Sequence, residues 1–120
     1  MVLNVDIPST ILDFAETTPP EEYQGSSFLP LVYNDKVSDW RKEFLFEFRR
    51  GNTKGQNSFS GLRGERYVYT NYFGQETPFE FLHDLKTDPY QLENFADNDN
   101  YKKVLNEMRA RCTSLEEKYK

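Results

Sequence analysis

Phe59-Ser-Gly-Leu-Arg-Gly-Glu-Arg-Tyr-Val-Tyr-Thr-Asn-Tyr72 is the stretch on which the fold turns. Residues 59–63 and 67–72 read as two strands, and the connector Gly64-Glu65 between them is too short for a crossover. The two must therefore be antiparallel neighbours. Upstream, Glu43-Phe-Leu-Phe-Glu-Phe48 alternates strictly, with Phe44, Phe46 and Phe48 on one face and Glu43, Leu45 and Glu47 on the other, the pattern of a strand with one buried face. Downstream, residues 79–85 form a further apolar strand, closed by Lys86-Thr-Asp-Pro89, where Asp and Pro favour a turn. From about Asn98 the period changes: Tyr101, Val104, Leu105, Met108, Cys112, Leu115 and Tyr119 make one apolar stripe on a long helix. Glu107 with Arg111 and Glu116 with Lys120 stand four residues apart on its polar side, a supportive spacing. Locally paired strands with a helix on one face predict an α+β fold, a small antiparallel β-sheet of about four strands packed against a long C-terminal α-helix.

The N-terminal part is built differently. Asp6-Ile-Pro-Ser-Thr-Ile-Leu-Asp-Phe-Ala15 puts Ile7, Ile11, Phe14 and Ala15 at helical spacing, with Asp6 as N-cap and Pro8 in the first turn. Thr17-Thr-Pro-Pro20 stops that helix, because proline lacks an amide proton and pushes its predecessor out of the helical region. Gly25-Ser-Ser-Phe-Leu-Pro-Leu31 reads as a loop with one brief helical turn, capped by Ser26 or Ser27. Between strands, residues 49–58 are polar and Gly-rich, an exposed loop.

With 120 residues the chain is expected to be one domain, residues 1–120, and its ten Phe and eight Tyr offset a short supply of aliphatic side chains. The net charge of -5 argues against a nucleic-acid partner, since phosphate backbones repel acidic surfaces. That charge is uneven: residues 41–66 hold seven basic side chains against three acidic. No apolar run approaches the ~20 residues that span a bilayer, so no membrane partner is expected. One cysteine, Cys112, excludes an internal disulfide.

In order along the chain, these segments resemble the C-terminal subdomain of type I, formylglycine-dependent sulfatases. Asp6-Ile-Pro-Ser-Thr-Ile-Leu-Asp13 is similar to the family's Asp-Ile-Ala-Pro-Thr-(Ile/Leu)-Leu-Asp helix, and Gly25-Ser-Ser-Phe-Leu-Pro-Leu31 to its Gly-x-Ser-Leu-x-Pro-Leu element. Trp40-Arg-Lys-Glu-Phe-Leu-Phe-Glu-Phe48 matches its Trp-Arg and following strand, and Leu62-Arg-Gly-Glu-Arg-Tyr-Val-Tyr69 its next strand pair. The most specific block is Phe81-Leu-His-Asp-Leu-Lys-Thr-Asp-Pro-Tyr-Gln-Leu-Glu-Asn-Phe-Ala96. Departures are Pro8-Ser9 for Ala-Pro, Gln91 for an acidic residue and His83 for tyrosine. The resemblance implies a four-stranded sheet and helix docked beside a larger α/β catalytic domain, which would hold the formylglycine nucleophile and a calcium ion.

Neither element is expected in this chain, which alone should catalyse nothing. Formylglycine is made within Cys/Ser-x-Pro/Ala-x-Arg, whereas Cys112-Thr-Ser-Leu-Glu116 lacks the Pro and Arg and lies on a helix stripe, the place of a small core hydrophobe. Asp97-Asn-Asp-Asn100 suggests a calcium loop, but its sixth and twelfth positions hold Lys102 and Met108 instead of Gly and Glu, so it reads as a helix start. His83, the sole histidine, has no triad partners at any telling spacing and reads as structural. Asp88-Pro89 and Asn94 read as turn formers. One functional reading survives: Arg49, Arg50 and Lys54 on the 49–58 loop as contacts to an anionic, sulfated glycan. The expected role is support of the catalytic domain at the border of its substrate cleft, with self-association of the isolated piece through uncovered apolar surface. The alternative is a non-catalytic module that binds sulfated glycan or another protein.

Overall fold

The computed structural model describes residues 1–34, 37–49, 58–74, 76–77 and 79–119. It divides into two units, Met1–Lys42 and Glu43–Lys120.

In the second unit β1 (Phe44–Phe48), β2 (Ser58–Arg63), β3 (Tyr67–Phe73) and β4 (Phe79–Asp84) form a four-stranded sheet in the order β1-β2-β3-β4. All three pairings are antiparallel, that of β2 with β3 as the Gly64-Glu65 connector requires. Gly64 N donates to Tyr67 O at 2.8 Å to close that turn. A 3-10 turn (Asp99–Tyr101) leads into α3 (Lys102–Lys118), and Asn98 caps the turn by accepting from Asn100 N at 3.0 Å. The 97–100 run is therefore a helix start, as its oxygen-bearing side chains predict.

Register fixes which side of the sheet is core. Leu45 pairs with Leu62, Leu62 with Tyr69 and Tyr69 with Leu82, so one cross-strand row faces α3. Leu62, Tyr69 and Leu82 pack with Leu105, Met108 and Cys112 of the helix, flanked by Leu45, Tyr101, Val104 and Leu115. Each fully buried leucine in that layer stabilises by roughly 1.5–3 kcal/mol. The phenylalanines of β1 lie on the other face and are only partly buried, Phe48 being 42% exposed. This corrects the expectation that the Phe44, Phe46, Phe48 face is the core face. Alternation identified the strand, but both of its faces offer apolar groups and the helix selected the one with leucine. On the face away from the helix, Phe48, Phe59, Tyr72 and Phe79 form a ladder with ring centroids 5.7, 5.3 and 4.7 Å apart. Gly61 belongs to this face because a Cβ there would strike the Phe46 ring and the Tyr69 carbonyl.

The first unit is held by polar groups. Helix α1 (Asp6–Phe14) buries Asp6, Ser9 and Thr10, while Ile7, Ile11 and Phe14 are exposed. Asp6 is not the N-cap expected from the sequence; Val5 holds that position without a side-chain cap. The helix ends at Ala15, with Glu16 left-handed at φ 55. Glu16 N donates to Asp13 O and Thr17 N to Leu12 O, so a reversed turn of the kind usually made by glycine ends the helix before the prolines. The brief helix α2 (Leu29–Tyr33) carries Pro30 in its first turn, and Leu29 N donates to Ser27 Oγ at 3.3 Å.

Candidate functional site

Among the described residues, Asp6, Asp84 and Glu80 are each tied to an arginine through two guanidinium nitrogens. In the first unit, Asp6 is fully buried and receives both ends of the Arg41 guanidinium, at 2.7 and 2.8 Å. Leu3 N donates to its Oδ2 at 2.8 Å and Ser26 N to its Oδ1 at 2.9 Å. One side chain thus joins the helix start, the 25–31 loop and the Trp40-Arg41 pair. Neighbouring bonds repeat the pattern: Ser9 Oγ donates to Gly25 O, Thr10 Oγ1 accepts from Phe28 N, and Trp40 Nε1 donates to Met1 O. Gly25 sits so close to the Val5 carbonyl that any Cβ would collide with it. The Arg41 bond, with help from the two backbone donors, holds the Asp6 carboxyl at about 2 against the burial that would raise it.

Asp84, at the end of β4, is the counterpart in the second unit. Arg66 binds it through Nε at 2.9 Å and Nη2 at 2.7 Å, Tyr101 Oη donates at 3.1 Å, and Lys86 N donates at 3.1 Å. Its carboxyl is likewise lowered to about 2, chiefly by Arg66. The third acid, Glu80, accepts from Arg109 Nε at 3.0 Å and from Tyr69 Oη at 2.9 Å, and Arg109 holds its carboxyl below the usual range. Arg111 reaches Glu43 rather than the predicted Glu107, because the β1 edge presents a carboxylate to that side of α3; Glu107 faces Lys103 instead.

Arg49 lies just past β1, exposed, with its Nε 3.2 Å from Glu47 and its guanidinium 5.8 Å from the Phe73 ring centroid. Arg50 and Lys54 lie outside the described residues. Cys112 is buried in the helix–sheet core, where burial pushes its thiol up to about 11, so it stays protonated at neutral pH, as befits a core residue. His83 stacks on Phe81 at 5.9 Å and places Nδ1 2.8 Å from Glu93 O, a structural role. Among the described residues no three His, Cys, Asp or Glu side chains gather in a way that would hold a metal ion. Nor is any described helix long and apolar enough to cross a membrane.

The block 81–96 gains a physical account here. Asn94 Oδ1 accepts from Leu82 N and Ala96 N, its Nδ2 donates to Glu80 O, and Phe95 N donates to Leu82 O. Asn94 therefore satisfies the outer edge of β4 as a neighbouring strand would, which exceeds the turn-forming role expected of it. Asp88 does form a turn, accepting from Glu93 N at 2.8 Å.

Residues 1–118 match the family described as N-sulphoglucosamine sulphohydrolase, C-terminal. The chain belongs to that sulfatase family. A delta 4,5-hexuronate-2-O-sulfatase of Bacteroides thetaiotaomicron is 32% identical over 114 residues, covering 88% of this chain and 22% of the relative. A protein solved in complex with its substrate D-glucosamine-2-N,6-O-disulfate superposes with a TM-score of 0.85 at 24% identity, over 97% of this chain and 24% of that one. The phosphonate monoester hydrolase of Agrobacterium radiobacter shares the fold at a TM-score of 0.79 and 24% identity, over 96% of this chain and 25% of that one. The chain thus spans about a quarter of the length of these proteins. In this sulphohydrolase C-terminal domain, side chains tie separate segments together: Asp6 to Ser26 and Arg41, Arg66 to Asp84, Asn94 to β4. Sequence reading missed the two aspartate–arginine pairs, which join residues 35 and 18 positions apart. Their signal was an acidic residue at one end of an element, Asp6 at the start of α1 and Asp84 at the end of β4, and an arginine beside an aromatic residue, and neither has a period.

Proposed function

We propose that this chain works as the C-terminal subdomain of a sulfuric ester hydrolase, bracing a catalytic domain and bordering its substrate cleft. The way its ionisable groups are spent carries the reading. The carboxylates held well below their ordinary range, Asp6 and Asp84, are each locked to an arginine as structural ties. A general acid, base or nucleophile needs a group tuned toward neutrality and open to substrate, whereas these are tuned toward permanent charge and rigidity. The formylglycine and calcium of sulfatase chemistry are assigned to the catalytic domain, for Cys112 has neither the exposure nor the acidity of a reactive thiol.

The substrate class is a sulfated sugar. The named activity of the hexuronate relative and the disulfated glucosamine of the solved neighbour support this choice, as does the positive balance of residues 41–66. Arg49, Arg50 and Lys54 are the contacts proposed from this chain. Replacing all three by Ala, in a form extended upstream to the length of the relatives, should raise KM for a sulfated disaccharide roughly ten-fold. It should leave kcat, and KM for a small aryl sulfate, near the parent values. An unchanged disaccharide KM would remove the loop from the cleft.

A further inference from the structure

The helix α1 is built inside out. Its polar residues Asp6, Ser9 and Thr10 are buried, while Ile7, Ile11 and Phe14 are 48, 62 and 71% exposed. The bonds of Asp6 to Arg41, Ser26 and Leu3, of Ser9 to Gly25 and of Thr10 to Phe28 lock the helix in this rotation. Rolling the apolar residues inward would strip a buried carboxylate of its partners, so the exposure is enforced. Their spacing of i, i+4 and i+7 is that of a helix seated in a groove.

The charge around the stripe selects its partner. No Lys, Arg or His precedes Lys36, whereas Asp13, Glu16, Glu21 and Glu22 are all exposed acids. Asp13 and Glu16 stand at the C-terminal end of α1, where the helix dipole is negative and the last turn holds no basic residue. A second copy of this chain would bring the same acids against one another. An apolar groove edged by lysine or arginine would cover the stripe and relieve the acids at once.

We infer that Ile7, Ile11 and Phe14 form a docking ridge that seats in a basic-edged apolar groove on the catalytic domain. The inference rests on the functional reading above and on the relatives being about four times the length of this chain, which leaves ample chain to supply such a groove.

The test uses Ile11→Asp and Glu16→Gln, each in the 120-residue chain and in the form extended upstream to the length of the relatives. In the short chain Ile11→Asp should leave the circular dichroism spectrum and the urea midpoint unchanged, because the side chain already faces solvent. In the extended form it should speed tryptic separation of the two parts roughly ten- to hundred-fold, the factor carried by burial of one aliphatic side chain. Glu16→Gln should act in the same direction but less, and Ile11→Leu should keep the parent rate. Equal cleavage of parent and Ile11→Asp, in an extended form that turns over an aryl sulfate, overturns the ridge and leaves the functional reading intact. Unfolding of the short Ile11→Asp chain also overturns it, since the residue would then serve internal packing. So does a dimer of the short chain that Ile11→Asp dissolves, which would make a second copy the occupant. An extended parent form without turnover would instead defeat the functional reading beneath it.

Discussion

Asp6 and Asp84 set the acid limit of this protein. Both carboxyls stand at about 2 when folded against 3.8 as the reference, so each contributes stability that is full above pH 3.8 and lost as pH falls through 2. Each supplies up to about 2 kcal/mol, less for Asp84, whose partner Arg66 is half exposed and screened by water. The urea midpoint should therefore hold steady from about pH 7 to 5 and then drop steeply between about 4 and 2. Asp6→Asn should cost about 2–4 kcal/mol at neutral pH, because it leaves Arg41 beside an amide, and it should shrink the acid-dependent drop. A midpoint independent of pH down to about 2 would mean that neither carboxylate stabilises the fold in this way. None of this was legible one residue at a time. Asp6 reads as a helix cap in sequence, since a cap and a buried anchor both begin with a carboxylate before an apolar run. Only the fold brings Arg41 to it.

At the scale of elements, the sequence was most informative where periodicity is strong. Alternation in 43–48, the short Gly64-Glu65 connector and the stripe from Tyr101 to Tyr119 predicted the sheet, its antiparallel order and the long helix, all of which the structure contains. Periodicity pointed to the wrong face of β1, whose helix side offers only Leu45 between two glutamates, and was misleading for α1, whose buried side is polar. Burial of polar groups depends on partners distant in sequence, and no local pattern encodes them. The edge of β4 is a further case. Asn94 supplies an acceptor to Leu82 N and a donor to Glu80 O, which leaves the sheet edge satisfied on that side. Asn94→Ala should cost about 1–3 kcal/mol, the penalty for stranding the partly buried Leu82 amide. Hydrogen exchange at Leu82 and Ala96 should quicken while amides in the β2–β3 pairing keep their protection. Unchanged exchange at Leu82 would show that water replaces the asparagine at no cost.

For the whole molecule, membership of the sulfatase family and the α+β architecture were both readable, because five segments resemble the family in order and periodicity marks the sheet and the long helix. The candidate contact site was legible only as charge: Arg49 lies at the end of β1 beside Glu47, and Arg50 and Lys54 lie outside the described residues. Charge asymmetry marks a basic stretch without telling what it meets. The fold is equally non-committal, since it is shared with a phosphonate monoester hydrolase as well as with sulfatases. What distinguishes a bracing subdomain from an independent catalyst is whether chemistry needs the remainder of a longer protein. The most direct test is turnover of an aryl sulfate, with calcium present, by the 120-residue chain beside a form extended upstream to the length of the relatives. The account predicts turnover by the extended form and none by the short one; hydrolysis by the short chain would contradict it and require a nucleophile within these residues.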